Sequence, residues 1–205
     1  MNNGPSPRIG IILSLICSTL LLFLGTIATA FARQGEPPLS KSAELTPLSG
    51  ISIFDLPAVD GEKLLAANAK DTVPGPQQVA VSIAVEISPQ THGQWETLDD
   101  GSRIWRLRFQ APSATDLNFG FTRYRLPEGA RLHVLSEDNG YFEGPYTAAD
   151  NLPHFQLWTP MVPGDTAIAE LFLPSGIDTD SVELELTRIG IGYRGMLGRK
   201  APRDR

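Results

Sequence analysis

Cysteine is nearly absent: the single one, Cys17, stands inside an apolar N-terminal run. Beyond that run, disulfides, a cysteine nucleophile and a thiolate metal site are all excluded. Histidine is scarce too. His92, His133 and His154 show no H-x-x-x-H or H-x-H spacing, so each reads as a surface or loop residue rather than a metal ligand. Basic charge is in deficit, with 17 Lys and Arg against 23 Asp and Glu and a formal net charge of -6. No cationic face is available to neutralise phosphates, which argues against a nucleic-acid partner. No G-x-S-x-G elbow and no Gly-Asp-Ser-Gly-Gly stretch occurs, and Ser175 within Pro-Ser-Gly reads as a turn residue. No internal repeat is visible.

What is present is a globular composition, 41% hydrophobic and 20% charged, with 19 Gly and 17 Pro to supply turns. Residues 1–32 have the three parts of an export signal. Arg8 supplies the positive start, Ile9 to Leu24 is apolar and uncharged, and Ala30-Phe31-Ala32 offers an A-x-A cleavage site before Arg33. An uncleaved membrane anchor is the alternative, since the uncharged run continues to Ala32. The chain is therefore expected to be exported, secreted or periplasmic, with a signal-anchored form as the alternative.

Residues 33–76 read as a polar, mobile lead-in carrying Pro37, Pro38 and Pro47. Within it a short helix is predicted over 60–69, with Asp60 as N-cap, Val59 and Leu64 as a hydrophobic staple, and Leu64 and Leu65 as the docking side.

Residues 77–192 are predicted to form one β domain. Val79, Val81, Ile83, Val85 and Ile87 alternate with Ala80, Ser82, Ala84 and Glu86, the period of a sheet with one buried face. Asp99-Asp100-Gly101 joins a strand Trp95–Leu98 to a strand Arg103–Phe109. In the latter Trp105, Leu107 and Phe109 point inward, and Arg106 and Arg108 to solvent. Leu117, Phe119 and Phe121 share a face. Asn139-Gly140 is a second hairpin signal, between Arg131–Leu135 and Tyr141–Tyr146. Strands follow at Gln156–Met161, Ala167–Leu173 and Ser181–Ile191. About nine strands at this spacing predict an all-β antiparallel sandwich or jelly roll with a short N-terminal helix. A basic tail, 193–205, closes the chain.

Few residues invite a chemical role. Glu137-Asp138-Asn139-Gly140 and Asp150-Asn151 are oxygen-rich but lack the D-x-D-x-D-G pattern of a calcium loop. Glu170, Glu183 and Glu185 read as solvent-facing strand residues, not as a paired-carboxylate site. Trp95, Trp105, Trp158, Tyr141 and Tyr146 fit either a sugar-stacking platform or core filling, with core favoured for Trp105 and Trp158. No catalytic, metal or cofactor site is predicted.

Several stretches carry a family likeness. They are Trp95-Glu-Thr-Leu-Asp-Asp-Gly-Ser-Arg-Ile-Trp-Arg-Leu-Arg, Leu117-Asn-Phe-Gly-Phe-Thr-Arg-Tyr-Arg-Leu-Pro-Glu-Gly-Ala and Gly144-Pro-Tyr-Thr-Ala-Ala-Asp-Asn. Leu157-Trp-Thr-Pro-Met-Val-Pro-Gly-Asp and Gly192-Tyr-Arg-Gly complete the set. In this order they resemble the N-terminal, non-catalytic region of bacterial secreted trypsin-like serine endopeptidase precursors of the lysyl-endopeptidase-like group, over about residues 51–195. The resemblance implies a propeptide-like module that assists folding of a peptidase domain or inhibits it. In that family the peptidase, with its His-Asp-Ser triad, follows the Tyr-Arg-Gly region. Here Met196-Leu-Gly-Arg-Lys-Ala-Pro-Arg-Asp-Arg follows, so the peptidase domain is expected to be missing and the chain non-catalytic. Arg194, Arg199, Lys200, Arg203 and Arg205 are candidates for a processing or cleft-binding tail. The alternative function is a stand-alone exported binding module for carbohydrate or protein.

Overall fold

The computed structural model describes residue 1 and residues 35–41, 45–70, 75–138 and 140–197. The export segment with Ala30, Ala32 and Arg33 lies outside the described residues, as do Arg199, Lys200 and residue 139 of the second hairpin turn. The described elements from residue 35 onward belong to one compact unit, Phe31–Arg205.

The strands are, in chain order, β1 (Ile53–Asp55), β2 (Ala80–Ile87), β3 (Gln94–Thr97), β4 (Arg103–Gln110), β5 (Asp116–Arg125) and β6 (Arg131–Ser136). They continue with β7 (Phe142–Tyr146), β8 (Leu157–Trp158), β9 (Val162–Pro163), β10 (Thr166–Leu173) and β11 (Glu183–Gly192). One sheet runs β1-β4-β10-β6-β7, with β3 also paired to β4; the other runs β2-β11-β5-β8, with β9 also paired to β5. All pairings are antiparallel except β1 with β4. The protein is an all-β sandwich, with one short α-helix among the described residues, α1 (Gly61–Asn68).

Alternation explains the core. Trp105, Leu107 and Phe109 of β4, Leu132 and Val134 of β6, and Ala167, Ala169 and Leu171 of β10 face inward. They meet Leu117, Phe119 and Phe121 of β5 and Leu184, Leu186, Ile189 and Ile191 of β11. Phe109 and Phe119 join the two sheets, with ring centroids 4.9 Å apart. In β11 the inward residues change from even to odd numbers after Leu186. A register shift between Leu186 and Arg188 absorbs the change, so one extra residue flips the strand's phase without exposing Ile189 or Ile191.

The helix forms where its caps place it: Asp60 accepts the Lys63 N–H at 2.9 Å, and Val59 and Leu64 pack on the core. Leu65, expected to dock with Leu64, is instead exposed. The strand expected over Gln156–Met161 shortens to β8, since Pro160 has no N–H to donate to a ladder, and β9 lies just beyond the expected span.

The largest departure concerns the lead-in. Its described residues ahead of β1, 35–41 and 45–51, lie on the outer face of the six-stranded sheet. Leu48 and Ile51 pack there with Leu135, Ile168 and Phe142 in a second, smaller apolar cluster. Pro38 is buried, and Gly35 donates to the Gly144 carbonyl at 2.8 Å. A polar composition suggested mobility, but the outer face of this sheet supplies the partners that hold the segment down. The six-stranded sheet is thus covered on both sides, and the five-stranded sheet on its inner side.

Candidate partner interface

Among the described residues, the uncovered face belongs to β2, β11, β5 and β8. Its cross-strand row Ala84–Arg188–Gly120–Trp158 ends on an indole. Leu157 packs inward, so Trp158 faces out. Its ring lies flat on Gly120, where an added Cβ would come within 2.4 Å of the ring. Only a glycine leaves that space, and Trp158 remains 54% exposed. Farther along the same face Thr122, Arg123, Arg125, His154, Phe155, Glu183 and Glu185 border an open hollow of about 380 Å³. Arg123 pairs with Glu183 at 2.9 Å and with Glu185 at 3.5 Å, and Arg125 lies 3.9 Å from Glu183, so two cations face two carboxylates. Phe155 is 44% exposed and sits at φ 54, held by its carbonyl accepting the Tyr124 N–H at 2.7 Å.

The chain leaves the domain at the opposite end of β11. Thr115 Oγ1 accepts the Gly195 N–H at 3.1 Å and donates to Asp116 at 2.8 Å. Burial pushes the Asp116 carboxyl above its usual range, and the Thr115 hydroxyl offsets part of this. Tyr193 donates to the Gln78 carbonyl at 2.6 Å, and Arg194 Nε donates to the same oxygen at 2.8 Å. Met196 and Leu197 are exposed beyond it.

On the covered sheet, register places Arg106, Glu170 and His133 side by side across β4, β10 and β6. All three are buried. The Glu170 carboxylate accepts the Leu39 N–H at 2.6 Å and the Ser40 N–H at 3.1 Å, at the start of a 3-10 turn, Leu39–Lys41. Arg106 bonds Ser40 Oγ at 3.1 Å and pairs with Glu96. Glu96 in turn accepts from the Thr46 N–H at 3.0 Å and its hydroxyl at 2.8 Å. His133 Nε2 lies 2.9 Å from the Glu36 carbonyl, which only accepts, so Nε2 carries the proton. Its Nδ1 and the Arg106 Nε find no partner among the described residues.

These contacts correct three expectations. Arg106, Glu170 and His133 were all placed at the surface by strand phase or residue type. They do alternate away from the main core, but the lead-in buries the side they face.

Burial pushes His133 below the ordinary imidazole range, against the weaker upward pull of the Glu36 carbonyl. It pushes Glu170 up, against the bonds from Ser40 and Leu39. A lowered folded-state value for His133 means stability is lost as pH falls below about 6.5, because the unfolded chain takes the proton first. Glu170 acts with the opposite sign, gaining as pH falls through its raised value, and offsets part of the loss. Glu36 and Arg131 are the other charges acting on His133. Amide exchange at Glu36, Leu39 and Ser40, corrected for intrinsic rate, is expected to quicken from pH 7.5 to 5.5. His133→Gln, which keeps a donor for Glu36, is expected to remove that change. Equal pH response in both chains would refute the assignment.

The other proposed site residues have structural duties. Asp138 accepts from Ser136 Oγ and from the Gly140 N–H at 2.9 Å. Asp150 closes a capping box with Thr147, and Asn151 bonds both the N–H and the carbonyl of Leu126. No group of three or more His, Cys, Asp or Glu able to hold a metal occurs among the described residues. Of the five rings weighed as a sugar platform, Trp105 and Tyr146 are buried, and Trp95 and Tyr141 pack against the core. Trp158, expected in the core, is the exposed one: β8 ends the sheet, and the described residues place no layer above its outward side chain.

A model of the lysyl endopeptidase N-terminal domain matches residues 55–190. The chain belongs to that family. The match covers every strand from β2 to β10, most of β11, and α1. A lysyl endopeptidase N-terminal domain is a non-catalytic, propeptide-like region of a protease precursor, which agrees with a β sandwich whose polar residues cap, clamp and turn. The lead-in that covers the six-stranded sheet lies ahead of the matched range. Among the described residues, no helix is long and apolar enough to cross a membrane.

Proposed function

We propose that this chain is the pro-region of an exported lysyl-endopeptidase-type protease, which binds the trypsin-like peptidase domain, assists its folding and holds it inactive. The family match over residues 55–190 carries this reading. The sandwich supports it, because a preformed sheet surface lowers the barrier to folding of a domain rich in non-local pairings. Export follows from the signal-like segment, with cleavage between Ala32 and Arg33. Inhibition is assigned to the basic tail, laid as an extended peptide across a cleft with an acidic specificity pocket. Arg194 is tied to Gln78, so Arg199, Lys200, Arg203 and Arg205 are the residues left for that role. The carbohydrate reading loses its platform, since one exposed ring replaces the five considered.

The test is refolding of a denatured lysyl-endopeptidase-type peptidase domain with and without the whole chain. Active-enzyme yield is expected to rise at least tenfold during refolding. Peptidase already folded is expected to be inhibited. Unchanged yield together with uninhibited activity would refute the proposal.

A further inference from the structure

We infer that the outer face of the five-stranded sheet, centred on Trp158 and Phe155, is the surface that receives the peptidase domain. This rests on the pro-region reading and adds where the two domains meet.

The two outer faces of the sandwich differ in one decisive respect. The six-stranded sheet is closed by the chain's own lead-in, through the Glu170, Arg106 and His133 contacts and the Ile51 cluster. The described chain lays no segment over the row that ends on Trp158. Two large aromatic side chains stand out of this face, 54% and 44% exposed. Neither is loosely held. Trp158 is seated flat against Gly120, and Phe155 is fixed in a left-handed backbone conformation by the Tyr124 N–H. Aromatics held in place on a sheet, beside the balanced charges of Arg123, Arg125, Glu183 and Glu185, have the make-up of an interface centre with a polar rim.

The occupant follows from where the chain departs. β11 is an inner strand of this sheet, and Thr115 holds Gly195 at its end. Gly192 pairs with Asp116 and Gly120 with Trp158, so the indole lies about four residues, or roughly 13 Å, along β5 from the point of departure. In relatives the protease domain follows this N-terminal domain, so a peptidase joined beyond β11 has this face within reach at high effective concentration. A carbohydrate ligand would have no comparable tether.

The test uses the whole chain and, as probe, a lysyl-endopeptidase-type peptidase domain with its nucleophilic serine replaced by alanine, so that nothing is digested. Binding is compared for the unaltered chain and for Trp158→Ala, Phe155→Ala and Gly120→Val. The last moves the indole off the sheet without deleting it. Asp99→Ala, in the exposed β3–β4 turn, is the control. Thermal unfolding of each variant confirms that it is folded. The expected result is at least tenfold weaker binding for each of the three variants and no change for the control. If the unaltered chain binds and the three variants bind equally well, this surface is wrong and the pro-region reading stands. If the unaltered chain does not bind, both fall. A Trp158 fluorescence response to polysaccharide but not to the peptidase would also overturn the assignment.

Discussion

Arg106→Ala is expected to lower the stability of the domain by about 3–5 kcal/mol, the range for breaking a buried ionic contact by removing one partner. Arg106 is 1% exposed. It joins Glu96, which fixes Thr46, to Ser40, which lies on Glu170. Burial acts to raise Glu96, but the Thr46 and Arg106 bonds outweigh it and hold its carboxyl below the usual range. Alanine removes the cation and leaves Glu170 beneath the lead-in with only the neutral donors of Ser40 and Leu39. A domain of this size loses roughly 2–4 °C of melting temperature per kcal/mol, so a fall of about 10 °C is expected in calorimetry. Arg106→Lys is expected to recover only part of this. An ammonium cannot reproduce the fork that reaches Ser40 and Glu96 together. Full recovery by lysine would show that charge alone matters there and would sink the network account.

Most of the sandwich was legible because its signals are local. Asp60 caps α1, Asp100 takes the Ser102 N–H in the first hairpin turn, and strict alternation assigned Trp105, Leu107 and Phe109 to the core. What alternation supplies is a choice between two faces. It does not say whether the second face meets water. Arg106, Glu170 and His133 were misplaced for that reason: each is correctly out of phase with the core, and a distant segment then covers it. The signal that could have revealed this was in β10. Ala167-Ile-Ala-Glu-Leu-Phe-Leu has apolar residues in both phases, the mark of a strand buried on both sides, with a lone glutamate that must then find partners. Trp158 failed in the opposite direction, because residue type favoured burial while its place at a sheet end decided exposure. The uncovered face carried almost no sequence signal: the meaning of Gly120 depends on the ring that lies across it, 38 residues away in the chain.

The lead-in allows a sharper test of the same physics. A chain shortened to begin at Ile51 loses Pro38, Leu48 and all the bonds from residues 36–46. Loss of two apolar contacts of this kind is expected to cost about 3 kcal/mol. The severed hydrogen bonds add little, because Arg106, Glu170 and His133 then reach water instead of being stranded. The decisive quantity is the coupling between this truncation and Arg106→Ala. In the shortened chain Glu170 and Glu96 are hydrated, so the substitution is expected to cost no more than about 1 kcal/mol, in line with exposed ion pairs. The coupling should therefore be about 2–4 kcal/mol, measured as a double-mutant cycle from urea unfolding of the four chains. Additive effects would mean that Arg106 acts through its packing within the sheet and not through the segment above it. A strongly coupled cycle would mean that the lead-in and the polar row beneath it act as one unit, with the lead-in making the charges of the row buried and the row holding the lead-in in place.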